Sequence, residues 1–373
     1  MKPVVVVADP LFGRVGGGGM VTAWMVQALA DDYDVVLVCH APVDFSEADR
    51  LFGTTLANQA PRLVVWPIWM RLSLKLWPGA GYRLKHFFQE KTLMRFAGRE
   101  SVRAWISTFN ESRLPMPGAH YVHFPAGRVS RFYVWFLRWW ESCGLAGPEM
   151  QMTWVNSHFT ATAWRRVHDQ PVNVLYPPVP ALGEGLPWAE RAEFRVVCLG
   201  RLLAGKGLVR VARIIGVLRA RGVPMTLAFV GAWACSRSER RDIERELGGC
   251  NWVEWHVGLS RDQIASLVAR SRYGLHGMEG EPFGIAVAEL QASGCVVFAP
   301  LIGGPAEILN EPTLLYQNET DAVDKILSVV RSPELQAKLH AKALGRRNVF
   351  SPDRFVQAVR ADIGKLISKK YPG

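Results

Sequence analysis

The sequence predicts an α/β protein made of two doubly wound, mostly parallel sheets joined by a linker. Three observations predict this. Short apolar runs alternate with helical patterns along nearly the whole chain, the mark of a parallel sheet covered by helices. The alternation stops once, over a stretch holding Pro177, Pro178, Pro180, Gly183, Gly185 and Pro187, and then resumes. A length of 373 residues also exceeds what one hydrophobic core usually holds.

Taken in order, Val4 to Val7 follow Met1-Lys2-Pro3. The run is too short for a signal peptide and reads as the first strand, Val4–Ala8. Gly16-Gly17-Gly18-Gly19 follows as a loop, and Val21–Ala30 is helical. Val35–Cys39, Leu63–Trp66, Ala104–Ser107, Tyr121–Phe124 and Trp154–Asn156 are the remaining strands of a first domain over 1–178. Residues 179–193 form the linker. A second domain over 194–351 holds strands Arg195–Leu199, Thr226–Val230, Trp252–Trp255, Gly274–Leu275, Val296–Ala299 and Leu314–Leu315. Helices near 207–221, 237–247, 261–270, 285–293 and 334–346 separate them. An amphipathic stretch near 352–369 lies in the last segment, 352–373.

Composition excludes several classes. Hydrophobic residues make up 49% of the chain, enough for sizeable cores. Six cysteines are scattered without a Cys-x-x-Cys pair, so neither a disulfide framework nor a zinc site is expected, which fits a reducing cytosol. No apolar stretch is long enough to span a bilayer. No Asp-x-Asp pair or histidine cluster suggests a metal. The net charge of +11 is concentrated: residues 62–138 hold thirteen Lys or Arg against Glu90, Glu100 and Glu111. Trp66, Trp69, Trp77, Tyr82, Phe87, Phe88 and Phe96 are interleaved with them, and Phe132, Tyr133, Trp135, Phe136, Trp139 and Trp140 come later. Such a mixture suits an anionic membrane boundary. It also suits a core helix with a solvated basic face, or single-stranded nucleic acid. No nucleic-acid motif accompanies it, so no nucleic-acid partner is expected.

The most informative stretch is residues 274–289, Gly-Leu-His-Gly-Met-Glu-Gly-Glu-Pro-Phe-Gly-Ile-Ala-Val-Ala-Glu. Glu281 precedes a Pro-Phe-Gly turn and Glu289 lies on the apolar helix that follows. Acids beside a buried segment carry a desolvation cost, and a helix N-terminus attracts anions and polar ligand oxygens. A capping acid plus a solvated helix acid would leave the same letters. Upstream, Val196 to Leu199 reads as a buried strand ending in Gly200-Arg201, and Lys206-Gly207 opens the next helix. A forked guanidinium and a compact ammonium on a strand–loop–helix turn suit a diphosphate, although an exposed loop also carries solvated cations. No Walker loop is present.

These two clusters resemble the glutamate-x7-glutamate and glycine-arginine-x4-lysine-glycine motifs of retaining glycosyltransferases of family 4. The resemblance implies the GT-B fold, two Rossmann-like domains facing each other across a cleft, with the segment 352–373 crossing back to the first. It implies sugar contacts at Glu281, Phe283, Gly284 and Ile285, a ribose contact at Glu289, and stabilisation of the leaving diphosphate by Arg201 and Lys206. Gly17 and Gly18 would approach the donor phosphate. Val257 and Gly258 would meet the nucleobase. The spacing of Gly16-Gly17-Gly18-Gly19 departs from a dinucleotide fingerprint, which disfavours an oxidoreductase.

Tyr121-Val122-His123-Phe124-Pro125 ends a strand-like run, where a lone histidine is often a hydrogen-bonded core residue. The segment resembles one in the mannosyltransferases that extend lipid-linked oligosaccharides, as do Trp154-Val155-Asn156-Ser157 and Tyr176-Pro177-Pro178. Phe124 departs from the tyrosine of that pattern. On this resemblance His123 meets the donor sugar, and the expected catalytic set is His123, Arg201, Lys206 and Glu281. His158 and His276 are weaker candidates. Gly303-Gly304-Pro305 either lets backbone approach phosphate or caps a helix. The expected activity is metal-independent, retaining hexosyl transfer, first GDP-mannose and otherwise a UDP-sugar, to a lipid-linked or glycan acceptor. It needs no cofactor beyond the nucleotide-sugar substrate and works peripherally on a cytoplasmic membrane face. A catalytically silent membrane scaffold of the same fold is the alternative.

Overall fold

The computed structural model describes residues 2–13, 16–76, 81–97, 101–110, 112–125 and 152–371. The chain divides into two units, Met1–Pro178 with Pro352–Gly373, and Val179–Ser351.

The first unit holds a seven-stranded sheet in the order β3-β2-β1-β4-β5-β6-β7, with every pairing parallel. Its strands are β1 (Val4–Ala8), β2 (Asp34–Cys39), β3 (Arg62–Val65), β4 (Val102–Ser107), β5 (Gly118–Val122), β6 (Met152–Val155) and β7 (Asn173–Val174). The near-continuous valine runs of β1 and β2 fit strands buried on both faces, and Val5, Val6 and Val7 are fully buried. The helix Gly17–Ala30 is apolar all round because the sheet and the helix Pro352–Lys370 cover it. Arg360 fastens the latter, donating to the Ala28 carbonyl at 2.6 Å and pairing with Asp31. Trp154 Nε1 donates to Asp362 at 2.9 Å.

The glycine run is not the loop the sequence suggests. Gly17, Gly18 and Gly19 form the first turn of the helix Gly17–Ala30, and Gly16, at φ 150°, makes the turn into it. Three glycines are tolerated there because the first-turn N–H groups lack intrahelical partners in any case, and missing side chains open close approach. The strand expected at Tyr121–Phe124 starts earlier and stops at Val122, since Phe124 is exposed. Of the basic aromatic segment, the helices Ile68–Leu76 and Gly81–Ala97 bury Met70, Phe88 and Leu93 against Trp66 and Trp105. Trp77, Arg99, Glu100, Glu111, Arg128, Arg131, Arg138 and the aromatics from Phe132 to Trp140 lie outside the described residues.

The second unit holds a six-stranded parallel sheet, β10-β9-β8-β11-β12-β13. Its strands are β8 (Ala192–Leu199), β9 (Thr226–Gly231), β10 (Val253–Val257), β11 (Ser271–Leu275), β12 (Val296–Pro300) and β13 (Leu315–Tyr316). Chain order runs outward from β8 on one side and from β11 on the other, so the topological switch point lies between these two strands. Residues 179–193 are part of this unit. Buried Arg191 donates to the carbonyls of Leu186 at 2.8 Å, Ser271 at 3.3 Å and Ser293 at 2.8 Å, and Val179 N–H donates to Phe350 at 2.8 Å. Among the described residues no helix is long and apolar enough to cross a membrane.

Candidate active site

In doubly wound sheets ligands bind beyond the carboxyl ends of strands, at the switch point. In the second unit that place is built from the loops after β8 and β11. Gly200, at φ 141°, turns the chain out of β8; Arg201 follows it, exposed and forming no ion pair among the described residues. The loop closes in a 3-10 turn, Ala204–Lys206, and Gly207 at φ 70° starts the helix Leu208–Ala220. Gly207 is a packing requirement as well as a turn. A Cβ there would stand 2.4 Å from the Gly277 carbonyl oxygen, and one on Gly277 would stand 2.5 Å from the Gly207 oxygen. The two loops therefore meet backbone to backbone, which brings Lys206 Nζ onto Glu281 Oε2.

Glu281 is gripped further. His276 Nε2 lies 3.4 Å from the same oxygen. Burial alone would raise the Glu281 pKa, but the imidazole and the ammonium beside it outweigh that and hold the carboxyl down at about 2. Its backbone is fixed by the facing loop: Gly304 N–H donates to the Glu281 carbonyl at 2.8 Å, and Gly280 N–H to Ile302 at 2.8 Å. A Cβ on Gly304 would meet Phe283 Cα and the Pro282 oxygen at 2.5 Å. The Gly303-Gly304 pair thus serves close packing, and the Gly304 N–H is committed to Glu281; Pro305 takes the first position of the helix Pro305–Leu309.

Gly284, at φ 103°, starts the helix Ile285–Ala292. The Phe283 side chain points inward, 3% exposed and 5.3 Å from the Phe350 ring, so only its backbone can face a ligand. Glu289 lies on that helix with Oε1 3.5 Å from Arg261 Nη1. Burial, the larger effect, raises its pKa against the pull of Arg261, to about 7. Arg261 also donates to the Pro180 carbonyl at 2.8 Å. The structure thus joins Lys206 to Glu281 and Glu289 to Arg261. Val257 ends the edge strand β10, two strands from β8, and Gly258 follows it; both are exposed.

The first unit carries a second polar cluster, also at carboxyl ends beside its β1/β4 switch point. Thr22 Oγ1 lies 2.7 Å from Asp9 Oδ2 and 2.7 Å from Thr108 Oγ1. His123 Nε2 lies 3.1 Å from the Thr108 carbonyl. A carbonyl only accepts, so Nε2 carries the proton and Nδ1 remains the acceptor. Burial drives the imidazole down to about 4, so it is neutral at physiological pH. Two asparagines clamp its backbone. Asn110 Oδ1 accepts the His123 N–H at 2.7 Å and Asn110 Nδ2 donates to the Phe124 carbonyl at 2.8 Å, while Asn156 donates to the His123 carbonyl at 2.8 Å. A Cβ on Gly18 would sit 3.6 Å from His123 Nε2, so Gly18 and His123 are neighbours.

Asp9, Thr108, Asn110 and Arg261 carry no sequence signal of their own, because each partner is remote in the chain. Only the strand-end positions of Asp9 and Thr108 could have flagged them. A depression lined by Lys2, Tyr33, Asp34 and Arg62 opens at the amino ends of β1–β3, the wrong end of such a sheet for a ligand.

Two parallel-sheet α/β units with polar clusters at their switch points define the GT-B class of fold. Residues 189–346 match the family described as Glycosyl transferases group 1. The chain is 27% identical over 256 residues to the GDP-Man:Man(3)GlcNAc(2)-PP-Dol alpha-1,2-mannosyltransferase of Mus musculus, covering 60% of this chain and 50% of the relative. The protein of the same name from Dictyostelium discoideum is 24% identical over 237 residues, 58% of this chain and 46% of the relative. The chain therefore spans about half the length of these curated relatives. The crystal structure of Anabaena HepE in complex with UDP and glucose superposes with a TM-score of 0.68 at 16% identity, covering 96% of this chain and 99% of that one. That likeness shows the fold. The resemblance read from the motifs, to these glycosyltransferases and to lipid-linked oligosaccharide mannosyltransferases, is borne out.

Proposed function

We propose that the chain is a retaining, metal-independent glycosyltransferase of the family 4 type. It moves a hexose, first mannose from GDP-mannose, to a lipid-linked or polysaccharide-precursor acceptor. The observation that carries this reading is the Lys206–Glu281 pair at the β8/β11 switch point. A compact cation suited to a diphosphate lies against an ionised carboxylate suited to sugar hydroxyls, with exposed Arg201 on the same loop as Lys206.

In this reading the donor diphosphate draws Lys206 from Glu281, and Arg201 joins it. Charge building on the leaving oxygen is then met by two cations already seated on the diphosphate, electrostatic help of the kind that often dominates catalysis. Glu281, freed of its ammonium, accepts hydrogen bonds from the sugar. The N–H groups of Gly284 and Ile285 at the helix start face the same ring, and Glu289 takes the ribose. The acceptor hydroxyl attacks the anomeric carbon from the face that the diphosphate leaves, and its proton passes to the departing phosphate oxygen. His123, neutral and held by Asn110 and Asn156, serves the sugar from the first unit, where Gly17 and Gly18 approach the donor phosphate. Val257 and Gly258 meet the nucleobase.

The relatives named for GDP-Man and a dolichol-linked acceptor support mannose and a lipid-linked acceptor. The basic aromatic segment supports work at the cytoplasmic face of a membrane. A UDP-sugar is the alternative donor, and a silent scaffold the alternative role. Thermal-shift measurements with GDP, UDP, ADP and NAD separate these: a stabilisation of several degrees by one diphosphate is expected, because a ligand bound to the folded state stabilises it by mass action. Stabilisation by NAD alone, or by none of the four, would contradict the reading.

A further inference from the structure

We propose that the outer face of the helix Ile68–Leu76 is a membrane-docking ridge that seats on an anionic lipid surface. Ile68, Leu72 and Leu76 recur every four residues, so they line one side of this helix, with Trp69 beside them. They are 69%, 51% and 72% exposed, and Trp69 is 48% exposed. The opposite side already does the core's work through buried Met70 and half-buried Leu74. Among the described residues the ridge is therefore additional apolar surface left in water, and contiguous patches of this kind mark interaction sites.

The charge around the ridge selects the occupant. The helices Ile68–Leu76 and Gly81–Ala97 together carry Arg71, Lys75, Arg83, Lys85, Lys91 and Arg95 against a single acid, Glu90. Glu90 is turned inward, 5% exposed, and accepts the Arg113 backbone N–H at 3.2 Å. Among the described side chains of this pair, Arg71, Lys85 and Lys91 are half-buried and Arg95 is exposed, and the pair's one acid is not among them. Lys91 Nζ sits 6.0 Å from the Trp69 ring centre and 5.7 Å from that of Phe87, at the flank of the ridge. A row of Ile, Leu and Trp bordered by lysine and arginine matches an interface whose upper layer is anionic and whose lower layer is hydrocarbon. Protein interfaces are depleted in lysine, which argues against a protein occupant. The inference deepens the membrane part of the reading above.

The test is co-flotation of the full chain with vesicles of phosphatidylcholine alone and of phosphatidylcholine mixed with phosphatidylglycerol. Binding is expected to the mixed vesicles and to weaken with salt. The combined variant Ile68→Ser, Leu72→Ser, Leu76→Ser is expected to lose at least about tenfold in partitioning, as apolar burial contributes much of such binding. Its melting temperature should hold, since all three side chains already face water. The charge variant Lys91→Glu, Arg95→Glu is expected to remove the preference for anionic vesicles. Absence of wild-type binding, or unchanged partitioning of the serine variant, would overturn the proposal. So would light scattering that finds a wild-type dimer which the serine variant dissociates. Transfer to a short water-soluble acceptor should be unaffected in the serine variant, so failure of docking and failure of the transferase reading register in separate measurements.

Discussion

Lys206→Ala probes the site most deeply, because the same ammonium has two jobs. Without donor it neutralises Glu281; with donor it is expected on the diphosphate. The two side chains are 19% and 13% exposed, so the pair is mostly out of water. Breaking a fully buried pair costs about 3–5 kcal/mol; with partial solvent access and the His276 imidazole still beside the stranded carboxylate, about 2 kcal/mol is expected. The Glu281 carboxyl sits at about 2 against an ordinary 4.5. Its stabilising contribution is therefore complete above pH 4.5 and lost as pH falls toward 2. Lys206→Ala forfeits part of that contribution already at neutral pH. Turnover should drop at least about a hundredfold, the scale for removing one charge-stabilising donor. Adding Glu281→Gln to Lys206→Ala removes the stranded charge, so the double variant should melt higher than the single one while staying inactive. Thermal melts and a transfer assay read by mass spectrometry check both halves. Turnover at the wild-type rate in Lys206→Ala, or a double variant no more stable than the single, would refute the reasoning.

Three further outcomes follow from the geometry. Glu289, raised to about 7 in the folded chain, binds a proton there that the unfolded chain releases near 4.5, so it makes stability decline as pH rises from about 4.5 to 7. Glu289→Gln should flatten that decline in melts at a series of pH values, and weaken donor binding in calorimetry. Gly207→Ala combines φ 70° with a Cβ 2.4 Å from the Gly277 oxygen, so it should destabilise the second unit by more than about 1 kcal/mol in denaturant unfolding and depress transfer. Asn110→Ala releases the His123 N–H and the Phe124 carbonyl together; transfer should fall about tenfold, within the range attributed to misplaced catalytic groups, with diphosphate binding to the second unit retained.

The sheet architecture was legible because buried parallel strands announce themselves as apolar runs, as Val4–Ala8 and Val296–Pro300 do. The first half of β8 was not. Ala192 to Phe194 extend that strand, with Ala192 paired to Ser271, a partnership no local pattern encodes. β5 was misplaced because its opening Gly-Ala-His carries no apolar signal, although His120 is fully buried there. The glycine run looked like a loop because glycine disfavours helix interiors, a rule that loses force in a first turn. In the site, Glu281, Lys206 and Glu289 stood out through local motifs. His276 was only a weak candidate, since its nearness to Glu281 depends on how the loop after β11 folds back. Arg261 was invisible because its acid lies on another helix, 28 residues away in the chain.

The central claim is that the loops after β8 and β11 grip a sugar nucleotide's diphosphate through Lys206. Calorimetric titration of GDP-mannose, GDP and UDP into the wild type and Lys206→Ala tests it most directly. One diphosphate is expected to bind the wild type with its sugar-linked form, and the affinity of both to fall at least tenfold in the variant, the fold-change for about 1.4 kcal/mol. Equal affinity in the two proteins, or no binding of any nucleotide to the wild type, would contradict it.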